Sequence, residues 1–530
     1  MSYDSATGAR PSTSTWKQEM FTGRLPMHSL PRPFDLSLDG EWEFQLLSSP
    51  EALVLDEWKT VHVPELWTVR EADDPPHYTN VAMPFAEVPP HVPALNPTGV
   101  YRRVVDLEHI PSSRFVLSVG AVEGHLSVLV NGQVVGQSTD SHLAAEFDIT
   151  DWSVSGANTI ELRVSKWSAA TYIEDQDQWW HAGIARSVGI YVLPVVRLTD
   201  VFARADHDPA TSRSSLAVTV STSGLDADEV VRHTIRARVL GQTMIGAIRP
   251  RAPLGGFVPM GRDRKRRPEP TMPDGTEDTW SLVAAGAREP AADLAASWAA
   301  IKSTPGQAEL VWAGLDALPW SAEAPNLASL VVDLLDPEGR VIDSTEVRVG
   351  FRRVEIRGRE LLVNGQPVLI QGVNRHHFDP VTGRVISIDS MRTDLRLLKR
   401  FNFNAIRTSH YPNDPVFLDL CDEYGFYVFD EADIEAHAFP YVSSDPRYLP
   451  SYVERVSRMV LRDKNHASVI AWSLGNESGH GVNHDAAAGW VRAFDPSRPL
   501  HYEGAISMNW HGGHTVTDIV CPMYPQFDAL

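Results

Sequence analysis

The sequence predicts a multidomain protein: a β-sandwich of jelly-roll type, then an immunoglobulin-like β-sandwich, then an incomplete TIM (β/α)8 barrel. Three observations predict it. The 530 residues are too many for one domain and suggest about three or four. Between residues 34 and 352 apolar side chains recur with period two, and no long helical period intervenes before residue 200. From Arg353 onward, strand-like runs alternate with helix-like runs, and the strand-like runs end in polar clusters.

Taken in order, residues 1–34 form an N-terminal arm rich in Ser, Thr and Pro. Residues 35–199 are the first β-domain. Asp39-Gly40 signals a turn before the alternation Trp42, Phe44, Leu46. Phe115 to Gln137 reads as two strands around Asn131-Gly132, a type I′ hairpin signal. Ile160, Leu162 and Val164 alternate again. Two polar stretches interrupt the pattern: Leu95 to Tyr101, and Glu174-Asp-Gln-Asp-Gln-Trp-Trp-His181. Surface turns are the plain account of both. The second also sets flat aromatic faces beside carboxylates, which a sugar site requires.

Residues 200–352 are the second β-domain, with Leu216, Val218 and Val220, then Leu330, Val332 and Leu334, in alternation. A Pro/Gly-rich stretch near 249–277, holding Arg264-Lys-Arg-Arg267, reads as a loop insertion. A nucleic-acid signal is its alternative. Residues 353–530 carry about six of the eight strands of a barrel. These are Val368–Val373, Asn404–Arg407, Phe426–Phe429, Val469–Leu474, a strand closing at His501–Gly504, and Ile519–Tyr524. Helices are expected around Leu395, Leu398 and Phe401, and from Asp414 to Gly425. In the second, Asp414 caps, Pro415 opens and Gly425 stops the helix. A third places Val453, Val456, Met459 and Val460 on one face.

Composition limits the function classes. A net charge of −21 argues against nucleic acid as a principal partner, since phosphate contacts need a basic face. The apolar fraction of 43% with 15 Trp supplies large cores. Two cysteines, Cys421 and Cys521, imply no disulfide framework and fit a reducing compartment. The polar N-terminus has no apolar signal region, and no run reaches membrane-spanning length. A cytoplasmic protein is the expectation.

On a parallel barrel the strand ends converge on one rim. The clusters there are His376 with His377, Arg407 with His410, Glu435 with His437, Asn476 with Glu477, and Tyr524. Any one alone is accounted for as a structural hydrogen-bonding group. Several in register point to a catalytic rim. Glu435, His437 and Glu477 make a carboxylate-rich ligand set suited to Mg²⁺, with Mn²⁺ as the alternative. Two adjacent acids also raise one another's pKa, which helps a general acid keep its proton.

Several stretches resemble glycoside hydrolase family 2. They are Asn404-Ala-Ile-Arg-Thr-Ser-His-Tyr-Pro412, Asp430-Glu-Ala-Asp-Ile-Glu-Ala-His437 and Trp472-Ser-Leu-Gly-Asn-Glu-Ser-Gly-His-Gly481. Asn96-Pro-Thr-Gly99, Asp175-Gln-Asp177, Asn374-Arg-His376 and Cys521-Pro-Met-Tyr524 resemble most its bacterial lactose-cleaving β-galactosidase branch. The resemblance implies a retaining hydrolysis of terminal β-D-galactose. Glu477 would be the acid/base and a Mg²⁺ ligand, with Glu435 and His437 completing the metal set. His376, His410 and Asn476 would contact the sugar or support the transition state. Tyr524 would sit near the nucleophile, Asn96 would reach in from the first domain, and Asp177 would bind the sugar and a Na⁺. A homo-oligomer is also implied.

A retaining glycosidase needs two carboxylates. In the family the nucleophile is a Glu shortly beyond the Pro-Met-Tyr motif, and this sequence ends six residues after Tyr524. The nucleophile is therefore expected beyond residue 530, with Glu503 an unfavoured substitute. The competing expectations are a catalytically dead galactoside-binding fragment and a related β-glucuronidase or β-mannosidase.

Overall fold

The computed structural model describes residues 23–250, 306–505 and 515–521. The greater part of the 249–277 stretch, and Tyr524, lie outside the described residues.

The first unit is two antiparallel sheets packed face to face. One has six strands, ordered 133–138, 125–130, 156–165, 98–107, 40–47, 59–63. The other has four, ordered 36–37, 188–194, 113–119, 145–148. The alternation read from the sequence fills the space between them. Trp42, Phe44, Ile160, Leu162 and Val164 from one sheet meet Leu117, Phe147, Val188 and Ile190 from the other in one buried cluster. Each such side chain contributes about 1.5–3 kcal/mol on burial.

Asn131 and Gly132 have φ of 51° and 78°, as a type I′ turn requires, and Val130 pairs with Gln133 across it. The segment from Phe115 to Gln137 is not two strands, however. It leaves the smaller sheet after Val119, forms the short strand Val122–Glu123, and only then enters the hairpin. Gly124, at φ 111°, turns the chain between the two.

The second unit is a further pair of four-stranded sheets around a core of Leu216, Val218, Val220, Leu330, Val332 and Leu334. Arg249–Pro250 pairs with Gly306–Gln307 at an edge.

Residues 354–367 form a small three-stranded antiparallel sheet, and from Gly372 onward the sheet is parallel. Its strands are β1 (Gly372–Asn374), β2 (Ala405–Arg407), β3 (Tyr427–Glu431), β4 (Val469–Ser473) and β5 (Leu500–His501), neighbours in chain order. Ile519 continues the series with a parallel bridge to His501. Helices α1 (Ile388–Arg400), α2 (Pro415–Tyr424), α3 (Leu449–Asp463) and α4 (Val482–Phe494) connect and cover the strands. The Asp414 carboxylate accepts from the Val416 amide at 2.9 Å, and Gly425 ends α2 at φ 75°.

Several boundaries differ from the sequence reading, the second and fourth strands by one residue each. The first strand keeps only Gly372–Asn374 of the run from Val368, and Leu369 is 74% exposed. With a partner on one side only among the described residues, the run has little to bury it. The third strand begins at Tyr427 and reaches Glu431. The fifth stops at His501, and Glu503–Ala505 is a 3₁₀ turn. Phe401 caps α1 and is exposed; the buried face is Met391 and Leu395. Helix α4 was not foreseen, because its Ala-rich face gives a weak apolar period.

The arm is tied down where it is described. Leu25 N–H donates to Glu146 O, Ser29 bonds Asp200, and Arg32 pairs with Asp343 at 2.7 Å. Among the described residues no helix is long and apolar enough to cross a membrane.

Candidate active site

Because β1 to β5 run parallel, their C-terminal ends share one rim. Strand β4 ends at Ser473, and the chain turns through Gly475 at φ 132°. A Cβ there would meet Ile434 O at 2.4 Å, so only glycine lets this turn lie against the segment after β3. Asn476 N–H then donates to Ile434 O at 2.9 Å, and Asn476 bridges Glu435 in parallel register. That pairing brings the Glu435 and Glu477 segments side by side.

A carboxylate absent from the sequence reading anchors the rim. Glu431, fully buried at the end of β3, accepts from Arg407 Nε and from Ser473 Oγ at 2.6 Å each, and meets His410 Nδ1 at 2.6 Å. Burial opposes its charge, but Arg407, His410 and His501 outweigh burial and hold its pKa at about 2. Arg407 also donates to Asn476 Oδ1 at 2.9 Å. The signal was present: in Asp430-Glu431 the two side chains leave on opposite faces of a strand. Asp430 packs toward α3, where burial and Asp463 raise its pKa; Glu431 faces the rim.

His376 lies 5.4 Å from His410, ring to ring. Its pKa is held near 4 by burial, then by His410 and Arg384, against Glu431 and Asp177. It is a neutral imidazole at pH 7. His377 does not share the rim. It is buried beside Arg375, at 3.1 Å, and against Phe417 of α2. Adjacent residues at a strand end point opposite ways, so only one of the two could face the site.

Glu435, His437 and Glu477 offer ligand atoms all within 4.8 Å of one another. Glu435 is fully buried, and among the described residues neither of its carboxylate oxygens has a well-formed hydrogen bond, the Asn476 side chain being its nearest donor. Burial, against the Asn476 side chain and together with the charges of Glu477, Glu431 and Asp175, pushes its pKa well up. His437 Nδ1, also buried without a partner, lies 3.9 Å from Glu477 Oε2. Buried acid oxygens left unsatisfied in a cluster of like charge are what a hard divalent cation offsets. The residues present therefore fit Mg²⁺ or Mn²⁺.

Glu503 Oε1 accepts the Glu477 N–H at 2.5 Å, and burial lifts its pKa to about 7. It is committed to holding the Glu477 main chain.

The first unit reaches this rim through its Glu174–His181 stretch. Glu174 and Asp175 pair in parallel with Glu435 and Ala436, and the Gln176 amide donates to Asp433 at 2.7 Å. Asp177 is exposed and accepts from the Tyr78 hydroxyl. Trp179 beside it is 44% exposed. Asn96 is placed differently. Its amide donates to Trp167 O at 2.8 Å and accepts from Trp167 N at 2.9 Å, within the first unit. His376, His410, Asn476, Glu477, Glu435 and His437 are thus brought together. Asp177 is carried to them on a paired loop, and Asn96 is held by the backbone of Trp167.

Two models of one family match the chain: the sugar binding domain of glycosyl hydrolases family 2 over residues 36–194, and its TIM barrel domain over residues 354–530. The β-galactosidase of Pseudoalteromonas haloplanktis is 38% identical over 510 residues, taking in 93% of this chain and 44% of its own length. That of Alteromonas mediterranea is 39% identical over 511 residues, with the same coverage. The chain spans less than half the length of these curated relatives. Among solved structures, Bifidobacterium dentium β-glucuronidase complexed with coumarin-3-O-glucuronide superimposes with a TM-score of 0.67 at 20% identity, covering 93% of this chain and 77% of that one. A β-galacturonidase from Eisenbergiella tayi bound to galacturonate gives 0.62 at 19%, covering 92% and 73%. At such identities these two speak for the fold. With both family domains matched in order on either side of the second β-unit, the chain belongs to glycosyl hydrolase family 2.

Proposed function

We propose that this chain carries the acid/base side of a retaining β-galactosidase active site, acting on terminal β-D-galactose in β-galactosides such as lactose. The observation that carries this is the placement of Glu477. It stands on the C-terminal rim of the parallel sheet, its main chain fixed by Glu503 and its carboxylate beside Asn476 and His437. The galactoside choice follows the relatives named β-galactosidase.

In this reading Glu477 gives its proton to the glycosidic oxygen and later takes one from water. His376, His410 and Asn476 line the sugar. Glu431 orients His410 and Arg407. Glu435, His437 and Glu477 hold Mg²⁺, with Mn²⁺ as the alternative, and the cation would offset the charge of the paired acids. Asp177 faces the sugar and a Na⁺, Asn96 contributes from the first unit, and Tyr524 lies near the nucleophile. The family resemblance puts the nucleophile shortly after the Pro-Met-Tyr motif, so it is assigned outside the described residues, with Glu503 holding the Glu477 main chain. A division at residues 34, 199 and 352 into arm, jelly roll, immunoglobulin-like sandwich and barrel is supported by three separate apolar clusters. A homo-oligomer in a reducing cytoplasm completes the reading. Cys421 and Cys521 are unpaired, which fits that compartment.

The test compares nitrophenyl β-galactoside, β-glucuronide and β-mannoside, with Glu477→Gln alongside. Preference for the galactoside, and a loss of about 10²–10⁴-fold in the variant, support the reading. A preferred glucuronide or mannoside overturns the substrate assignment. Galactose binding with no turnover by any form fits a nucleophile outside this chain as well as a binding module, and failure of wild type to bind galactose overturns the reading.

A further inference from the structure

The segment that carries Glu435 and His437 is held from both sides. On the barrel side, Glu435 bridges Asn476, and Ala436 N–H donates to Ser478 Oγ at 2.9 Å. On the other side stands the first unit, with Glu174 opposite Glu435 and Asp175 opposite Ala436. Asp175 adds its side chain. Its Oδ2 accepts the Ala438 N–H at 2.7 Å, the peptide immediately after His437, and so sets the direction of the chain that aims the imidazole. Among the described residues the other oxygen, Asp175 Oδ1, is buried with no well-formed hydrogen bond, as are Glu435 Oε1, Glu435 Oε2 and His437 Nδ1. These four unsatisfied atoms belong to residues on two adjacent paired segments, contributed by two different units.

We propose that Asp175 is a positioning residue for the cation trio, so that cation binding and docking of the first unit on the barrel rim strengthen each other. The proposal rests on the cation reading of Glu435, His437 and Glu477. Mg²⁺ and Mn²⁺ keep several coordinated waters, and the protons of those waters need acceptors. Asp175 Oδ1 is a buried acceptor with none of its capacity used. Its Oδ2 meanwhile holds the His437 segment in place. By linkage, a cation that binds better when Asp175 is seated must also seat Asp175 more firmly, by the same factor.

The experiment titrates the chain with Mn²⁺ by calorimetry and by electron paramagnetic resonance. The forms compared are wild type, Asp175→Asn, Gln176→Ala and Glu435→Gln. Asp175→Asn keeps the volume and an acceptor for Ala438 but loses the charge. It is expected to weaken Mn²⁺ affinity about 10–100-fold. Gln176→Ala removes one docking bond without touching the trio, so by the same linkage it is expected to weaken Mn²⁺ as well, but by less than Asp175→Asn. In wild type alone, Mn²⁺ is expected to slow hydrogen exchange across residues 174–178, a readout that needs no variant to fold. Wild-type affinity in Asp175→Asn while Glu435→Gln loses the ion overturns the proposal. So does exchange in 174–178 that ignores Mn²⁺. If Glu435→Gln binds Mn²⁺ like wild type, the cation reading itself falls and the proposal with it.

Discussion

Two acid–histidine trios lie at opposite ends of β4, and they differ in one respect. At the N-terminal end, Asp419, Asp422 and His466 come as close together as Glu435, His437 and Glu477 do on the rim. Yet Asp422 is satisfied. One oxygen accepts Ser468 N–H and the other meets His466 Nδ1, both at 2.7 Å, while Asp419 pairs with Arg348 at 2.6 Å. On the rim, among the described residues, both Glu435 oxygens lack a well-formed hydrogen bond, with only the Asn476 side chain near them. The pKa shifts have opposite signs for the same reason. Burial would raise Asp422, but His466 and Ser468 more than cancel it, and its pKa falls. At Glu435 burial has carboxylates for company, and the pKa climbs. Proximity of ligand types therefore does not define a cation site; unsatisfied valence does. The basal trio locks α2 to β4, as expected where the base of a barrel serves stability and the rim serves chemistry.

The sharpest way to break this comparison is to truncate one acid in each trio and follow unfolding in urea with EDTA present. Asp422→Ala leaves a buried His466 and an amide without their partner and is expected to cost about 3–5 kcal/mol. Glu435→Gln removes a buried acid that has no well-formed hydrogen bond to lose, so its midpoint should match or exceed wild type. A Glu435 variant as damaged as the Asp422 variant would show that the rim trio is structural too. Next in size is the cation itself. Mn²⁺ at about 100 times its Kd should stabilise wild type by about 2.7 kcal/mol. The gain should vanish in Glu435→Gln and survive in Asp422→Asn. Smaller again is Ser473→Ala, which takes a donor from Glu431 and a partner from His501 at the rim end of β4. A loss of about 1–3 kcal/mol is expected in the same urea series.

What the sequence made legible follows the range of the interactions. The α2 punctuation, Asp414 to Gly425, and the Asn131-Gly132 turn are local, and both form as read. The alternations of Trp42 and Phe44, or of Leu330 to Leu334, need only a sheet face and likewise appear in the cores. Glu431 was overlooked because its meaning lies in Arg407 and Ser473, on other strands, and in His410, in the turn after β2. Two neighbours divided for the same reason: His376 faces the rim while His377 is spent on Arg375. The pairing of Glu174–Asp175 with Glu435–Ala436 joins positions far apart in the chain, and nothing in either stretch names the other. The aromatic and acidic character of Glu174–His181 gave a hint of use, not of place.

The smallest expected effect is the pH-dependent part of the basal pair, and its sign can be worked out. His466 is raised: burial opposes its charge, but Asp422 outweighs burial. A raised imidazole contributes stability that is fully present below its unfolded value, near 6.5, and is lost as pH climbs through the folded value. Asp422 is lowered, so its contribution is present above the unfolded carboxylate value, near 3.9, and is lost as pH falls through the folded one. The two describe one interaction, counted once, and it is whole between those limits. The difference in urea midpoint between wild type and Asp422→Asn should therefore be largest near pH 5 and shrink toward pH 9. Taking the difference cancels every group whose titration the substitution leaves unchanged, including the rim acids, and leaves that of His466. A gap that stays constant from pH 5 to pH 9 would mean that the imidazole is neutral across the range and that Asp422 acts through Ser468 alone. The basal trio would then be held by a neutral hydrogen bond, and the contrast with the rim would rest on satisfied valence without charge.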